Sequence, residues 1–180
     1  MNHPNLLQTY AVLVDDSNLY ILMEYMEGQT LLHKNKSDFQ KQESPLANSS
    51  SSKVNQIQRS ISARRTLDQL VRGVQYLHQM GIIHRDIKPS NIFVCQGNHF
   101  KLGDFGSATF TKSQEHIGTL DYAAREIMLH KQYDKEVDMW SIGCVAYEIF
   151  TGRPPFYHKS EEITTKRIVN CEYDLSQILD

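Results

Sequence analysis

The sequence predicts an α+β fold. Runs rich in β-branched and aromatic residues occur near the start and again around residues 92–102, whereas helical periodicity governs two stretches after residue 60. The 180 residues, 40% apolar and 22% charged, suit a single globular core of ordinary composition.

Residues 9–14 and 19–26 read as a β-hairpin, because Asp15-Asp16-Ser17-Asn18 between them has strong turn chemistry. After Gly28 a short apolar patch at Leu31-Leu32 gives way to polar sequence that culminates in Ser49-Ser50-Ser51-Ser52. Residues 35–60 are therefore expected to form a mobile surface insertion, with too few apolar groups to offset their ordering entropy. A helix is expected over about 62–80, where Leu67, Leu70, Val71, Val74 and Leu77 recur at helical spacing and Gly81 supplies the stop. His78 near its end reads as a packing or capping residue. A dense loop from His84 to Asn91 follows. Next come a strand over Ile92–Cys95, a turn at Gln96-Gly97-Asn98 and a returning strand over Phe100–Leu102. Val137, Trp140, Ser141, Cys144, Val145, Glu148 and Ile149 mark a helix apolar over much of its circumference, hence buried, and ended by Gly152-Arg153-Pro154-Pro155. A short amphipathic helix is expected over about 160–170.

The bulk properties exclude some function classes. A net charge of −2 and a pI near 6.4 give no global basic footprint for nucleic acid. No apolar run reaches the length of a membrane span, and Asn2-His3-Pro4 after Met1 is not a signal peptide. Cys95, Cys144 and Cys171 are odd in number and widely spaced. They read as reduced thiols of a cytoplasmic or nuclear protein, and none pairs with a histidine at zinc-finger spacing.

The densest chemistry is His84-Arg85-Asp86-Ile87-Lys88-Pro89-Ser90-Asn91 followed by Asp104-Phe105-Gly106. This resembles the protein-kinase signature H-R-D-x-x-x-x-N and then D-F-G. The residues agree with that chemistry. Phosphoryl transfer needs oxygens that hold a metal, a carboxylate for the hydroxyl proton and a cation near the moving phosphate. A hairpin that brings Asn91 and Asp104 together supplies an amide and a carboxylate oxygen suited to Mg²⁺. Asp86 can orient the substrate hydroxyl, and Lys88 can reach the γ-phosphate as a compact charge. Any one of these residues alone would read as a turn former or cap; their order and spacing carry the reading.

The resemblance implies a protein-kinase-like fold, consisting mostly of the helical large lobe plus the last small-lobe strands and the hinge. It divides the chain into small-lobe strands and hinge at 1–27, the Ser-rich insertion at 35–60 and the large catalytic lobe at 61–180. Met23-Glu24-Tyr25-Met26 looks like gatekeeper and hinge, so the nucleotide contacts fall on the backbone of Glu24 and Met26 and on Lys88 and Phe93. His3-Pro4-Asn5 matches the junction after the family's regulatory helix. Gly118-Thr119-Leu120-Asp121-Tyr122 looks like the substrate-facing loop, in which Thr119 would hydrogen-bond Asp86 and Lys88. Asp138-Met139-Trp140-Ser141-Ile142-Gly143 resembles the start of the central buried helix, whose aspartate supports the catalytic loop. Asp86-Ile87-Lys88-Pro89 is the Ser/Thr form of that loop, and residues 118–122 and 152–156 look most like the Aurora and Polo branches. The resemblance thus implies a Ser/Thr kinase using ATP and Mg²⁺ on a protein substrate, with a regulatory protein partner as a further expectation.

Three departures qualify the match. The 180 residues contain no G-x-G, and their first lysine is Lys34, so the family's phosphate-covering loop and anchoring lysine would precede Met1. Met1–Asn5 looks like a point inside a longer kinase reading frame, and the chain is expected to be N-terminally truncated. Arg125 replaces the proline of A-P-E, and Glu126, regulatory with Phe105, has its usual arginine partner in a later helix. Glu115 stands where the activating phosphosite lies, three residues before Gly118-Thr119, and is expected to give Arg85 a weaker, permanent anion. The alternative is a weakly active or inactive kinase lobe serving as an interaction module, favoured by the missing anchor and opposed by the intact Asp86, Lys88, Asn91 and Asp104.

Overall fold

The computed structural model describes residues 2–42 and 49–176. Strand β1 (Thr9–Val14) pairs antiparallel with β2 (Leu19–Met23), with Val14 opposite Leu19 and a bulge between Thr9 and Ala11. The turn closes through Asp15, whose Oδ1 accepts the N–H groups of Ser17 at 2.8 Å and Asn18 at 2.7 Å. The hairpin is exposed along most of its length; Val14 is 74% and Leu19 61% accessible. Strand β2 ends at Met23, and Glu24–Glu27 run on without regular structure.

A second sheet has the order β3 (Gln29–Thr30), β4 (Ile92–Cys95), β5 (His99–Leu102), all antiparallel. The two-residue strand β3 is too short to show a sequence period. The segment before β1 bridges the two sheets: Leu7 N–H donates to the Leu102 carbonyl at 2.8 Å, and Leu102 N–H to the Asn5 carbonyl at 2.9 Å.

The expectation of an irregular insertion over 35–60 is corrected on both sides of residues 43–48, which lie outside the described residues. Helix α1 spans Leu31–Gln42, and α2 runs from Ser49 to Gln79 rather than from residue 62. On α1, Leu31 and Asn35 are buried and the Phe39 ring lies against Gly152, a helical i, i+4, i+8 stripe that the polar composition hides. No glycine or proline interrupts residues 46–72, and serine weakens a helix only modestly, so α2 propagates backward from its packed half.

Leu70, Val74 and Leu77 of α2 are buried, whereas Val71 is partly exposed. They meet α4 (Glu136–Thr151), whose Val137, Ile142, Cys144, Val145 and Ile149 are buried on several sides. Gly152 closes α4 in the left-handed region at φ +82°, its N–H donating to the Glu148 carbonyl. Helix α5 (Glu161–Asn170) packs on the short α3 (Arg125–Met128). Among the described residues no helix is long and apolar enough to cross a membrane.

Candidate active site

The loop from Ile82 to Asn91 is held from behind by Asp138 at the start of α4. Its fully buried carboxylate accepts the N–H groups of His84 at 2.9 Å and Arg85 at 2.8 Å, and a hydrogen bond from the His78 ring at 2.8 Å. His78, read from sequence as a packing or capping residue, is instead a hydrogen-bond partner of Asp138. Arg85 adopts φ +69°, a strained geometry for a residue with a side chain, which three converging bonds on Asp138 help to fix. Burial holds the His84 imidazole below its ordinary range and hence neutral. Its Nε2 bonds the Gly103 carbonyl at 3.1 Å, and its Nδ1 accepts the Asp86 N–H at 3.3 Å.

Four of the expected catalytic residues meet on the open side of this loop. Asp86 Oδ1 accepts the Thr119 hydroxyl at 2.8 Å, Asp86 Oδ2 lies 2.8 Å from Lys88 Nζ, and Lys88 Nζ donates to Thr119 Oγ1 at 2.8 Å. Asn91 Nδ2 donates to the Asp86 carbonyl at 2.9 Å and to Oδ2 at 3.2 Å. Burial pushes the Asp86 carboxyl up, but the bonds from Lys88, Thr119 and Asn91 outweigh it and hold the group below its ordinary range. The result is an ionised, oriented carboxylate beside a cation.

Asp104 reaches the same mouth through the β4–β5 register. Ile92 faces Leu102, and Gly103 N–H donates to the Asn91 carbonyl at 2.9 Å, so Asp104 follows directly beyond Asn91. Asp104 is exposed at φ +61°, with Oδ1 accepting Gly106 N–H at 3.3 Å. No side-chain bond joins Asn91 to Asp104 among the described residues. The donor set is nonetheless right for a hard cation shared with phosphates: the Asn91 NH₂ is committed to Asp86, leaving its amide oxygen for a ligand, and Asp104 adds a carboxylate. No cluster of three or more His, Cys, Asp or Glu able to enclose a metal ion occurs among the described residues.

The residues expected to contact the nucleotide base lie around Gly103 and Glu24. A Cβ at Gly103 would stand 2.9 Å from the Phe93 ring and 3.0 Å from Leu7, so only glycine allows those side chains to close together there. Glu24 N–H is taken by the Gln8 carbonyl at 2.8 Å, leaving the Glu24 carbonyl for a ligand. Its side chain pairs with Lys101, both oxygens at 2.7 Å. Met26 and Phe93 are half-buried.

Arg85 Nη1 lies 2.7 Å from Glu115 Oε2, which brings together the regulatory pair named from sequence. The guanidinium also bonds the Ser107 carbonyl at 2.6 Å, Ser113 Oγ at 3.2 Å and Tyr133 OH at 3.4 Å, partners that sequence reasoning missed. Burial works against the Arg85 charge, but Glu115 and Tyr133 overcome it and raise its pKa. The Phe105 ring packs on His84, centroids 5.3 Å apart. Glu126 shows no side-chain partner among the described residues; Arg125 is exposed, and the segment docks instead through buried Ala124, Ile127 and Met128.

A second polar pair lies behind the substrate-facing loop. Tyr122 OH donates to Glu148 Oε2 at 2.5 Å, and the Ser141 hydroxyl donates to the Tyr122 carbonyl at 2.8 Å. Burial pushes the Glu148 carboxyl up, and the Tyr122 hydroxyl is driven up by burial and by Glu148. The spacing of Ser141 and Glu148 on α4 marked them only as helix-lining residues; their polarity at buried positions was the available signal.

Comparison with known proteins identifies the family. The family model for the protein kinase domain matches residues 1–179. The chain is 33% identical over 183 residues to an Aurora kinase of Candida glabrata, an alignment covering 98% of this chain and 46% of that protein. It is 34% identical over 186 residues to the serine/threonine-protein kinase polo of Drosophila melanogaster, covering 99% and 29%. It is 32% identical over 191 residues to the serine/threonine-protein kinase cds1 of Schizosaccharomyces pombe, covering 100% and 38%. The chain therefore spans less than half the length of these curated relatives. With the H-R-D and D-F-G residues assembled on one mouth, it belongs to the protein kinase domain family.

Proposed function

We propose that this chain carries the catalytic machinery of a protein Ser/Thr kinase that moves the γ-phosphoryl group of ATP to Ser or Thr hydroxyls of proteins. The observation that supports it best is the triangle of Asp86, Lys88 and Thr119, each edge 2.8 Å. Asp86 is held ionised and accepts the proton of the attacking hydroxyl. The hydroxyl oxygen bonds to the γ-phosphorus, the bond to the β–γ bridging oxygen breaks, and ADP leaves with that electron pair. Lys88 compensates the charge on the γ-phosphoryl oxygens, and Thr119, bonded to both Lys88 and Asp86, fixes the orientation of that ion pair. Asn91 and Asp104 are the residues to hold Mg²⁺, which when bound neutralises phosphate charge. The carbonyl of Glu24, the main chain of Met26 and the Phe93 side chain are the adenine contacts in this reading. The three free cysteines, Cys171 exposed among them, support an intracellular setting.

The interaction-module alternative is not favoured, because a lobe relieved of catalysis has no need of an ionised Asp86 bonded by three donors. The test is transfer of labelled phosphate from γ-³²P-ATP to a mixed protein acceptor, followed by phosphoamino-acid analysis. Because the 180 residues hold no G-x-G loop, it is run on this chain and on the product of the whole reading frame that contains it. Phosphoserine and phosphothreonine that vanish in Asp86→Asn are expected. No incorporation by either protein would sink the reading.

A further inference from the structure

Lys101 touches none of the groups assigned to metal, phosphate or the reacting hydroxyl, yet it joins the two sides of the proposed adenine site. On β5 it is the register partner of Phe93. Directly opposed residues of an antiparallel pair project from the same face of the sheet, so Lys101 stands beside the Phe93 side chain. Its ammonium reaches across to the segment that follows β2, 2.7 Å from each carboxylate oxygen of Glu24. Glu24 is in turn fixed to the segment before β1, with its N–H on the Gln8 carbonyl at 2.8 Å and the Gln8 N–H on Glu24 Oε2 at 3.4 Å.

No strand ladder links β2 to the three-stranded sheet among the described residues, and the nearest backbone bridge is Leu6 with Leu102. Beyond the Glu24 N–H bond to the Gln8 carbonyl, the main chain over Glu24–Met26 has no regular structure to hold its place. An ion pair in which the side chains are 19% and 26% accessible is less screened than a fully exposed one, and two short charge-assisted contacts give it direction. The Lys101 bond is the main cause holding the Glu24 carboxyl below its ordinary range.

We propose that Lys101 is a positioning residue for the nucleotide: through Glu24 it fixes the distance between the Glu24–Met26 main chain and Phe93, and so sets the width of the adenine slot. The inference rests on the nucleotide-site reading above. It assigns Lys101 an effect on nucleotide binding and none on chemistry at Asp86, which lies on a different loop.

The experiment measures the dissociation constant of a fluorescent ADP analogue with Mg²⁺, KM for ATP, kcat and thermal unfolding, for the wild type and for Lys101→Met, Lys101→Gln and Lys101→Arg. Lys101→Met is expected to raise both the dissociation constant and KM by roughly five- to tenfold while kcat at saturating ATP stays within about twofold. Lys101→Arg, which keeps the cation, is expected to return affinity to within about twofold of wild type. If Lys101→Met does not fold, Lys101→Gln, which keeps a donor but no charge, carries the same expected direction. A merely structural lysine would instead lower the unfolding temperature and the active fraction at unchanged KM; that pattern, or equal affinity in all variants, overturns the proposal. A wild type that binds no nucleotide sinks the underlying reading and the positioning role together, whereas a wild type that binds while its variants match it sinks only the latter.

Discussion

The buried carboxylate of Asp138 accepts the main-chain N–H of Arg85 at 2.8 Å, although the two residues are 53 positions apart and Arg85 sits at φ +69°. A helix start thereby fixes a strained loop residue whose guanidinium faces the opposite way, toward Ser107 and Glu115. Asp138→Ala would leave the N–H groups of His84 and Arg85 buried without an acceptor. A loss of about 3 kcal/mol in urea unfolding is expected, together with reduced phosphoryl transfer. Asn at the same position keeps one acceptor oxygen and is expected to lose less.

Asp86→Asn keeps the shape of the catalytic loop and removes the proposed base. A fall in kcat of roughly 10²- to 10⁴-fold is expected, with the unfolding midpoint nearly unchanged. Thr119→Ala breaks two edges of the triangle and is expected to lower kcat about tenfold. Thr119→Ser, which keeps the hydroxyl, would recover most of it; a Ser variant as poor as Ala would show that the methyl group, not the bond, matters.

Gly118 sits at φ +100°, and a Cβ there would meet the Arg85 carbonyl oxygen at 2.5 Å. Gly118→Ala therefore has both a backbone strain of roughly 1–2 kcal/mol and a contact with main chain that cannot swing aside. Activity is expected to drop more than tenfold. Circular dichroism is expected to stay that of the folded chain, because the clash is local to the two loops.

Glu115 reads as the standing anion on Arg85, and its carboxyl is held below its ordinary range chiefly by the Arg85 hydrogen bond. Its side chain is 68% accessible while that of Arg85 is 6%, so salt screens the pair from one side only. Glu115→Ala is expected to lower activity by about two- to fivefold, a difference that shrinks as ionic strength rises. For pH the sign follows from the depressed folded value. The contribution of the pair is present above the unfolded value of 4.5 and fades as pH falls through the lower folded value. Equal activity of mutant and wild type in low salt would remove the assigned role.

Glu148 works in the opposite direction, since burial first of all raises its folded pKa above 4.5. Between those two values the folded state binds more protons than the unfolded one, so stability falls as pH rises through the window. Glu148→Gln keeps an acceptor for the Tyr122 hydroxyl and removes the titration. Its unfolding free energy is expected to lose less than the wild type's between pH 4.5 and neutrality. Parallel pH curves for the two proteins would contradict this.

Local sequence was sufficient for the elements whose periods are undisturbed. The hairpin turn follows from Asp15, the α4 stop from Gly152, and the β4–β5 pair from Gln96-Gly97-Asn98. The order of Asp86, Lys88, Asn91 and Asp104 was equally legible, because the catalytic loop and a short hairpin set their spacing within 19 positions. Helix α1 and the part of α2 before residue 62 were not, since composition there argues against burial while Phe39 finds its partner only at Gly152.

By itself, then, the sequence determined an α+β chain with a kinase catalytic loop and named the residues that meet at its mouth. Only the tertiary structure decided how those residues are held. The support of the catalytic loop by Asp138 was expected from the family resemblance, but Tyr133 beside Glu115 and Lys101 on Glu24, pairings across 18 and 77 positions, were not. Such contacts depend on where whole helices and sheets come to rest, and no local period or turn signal encodes that distance.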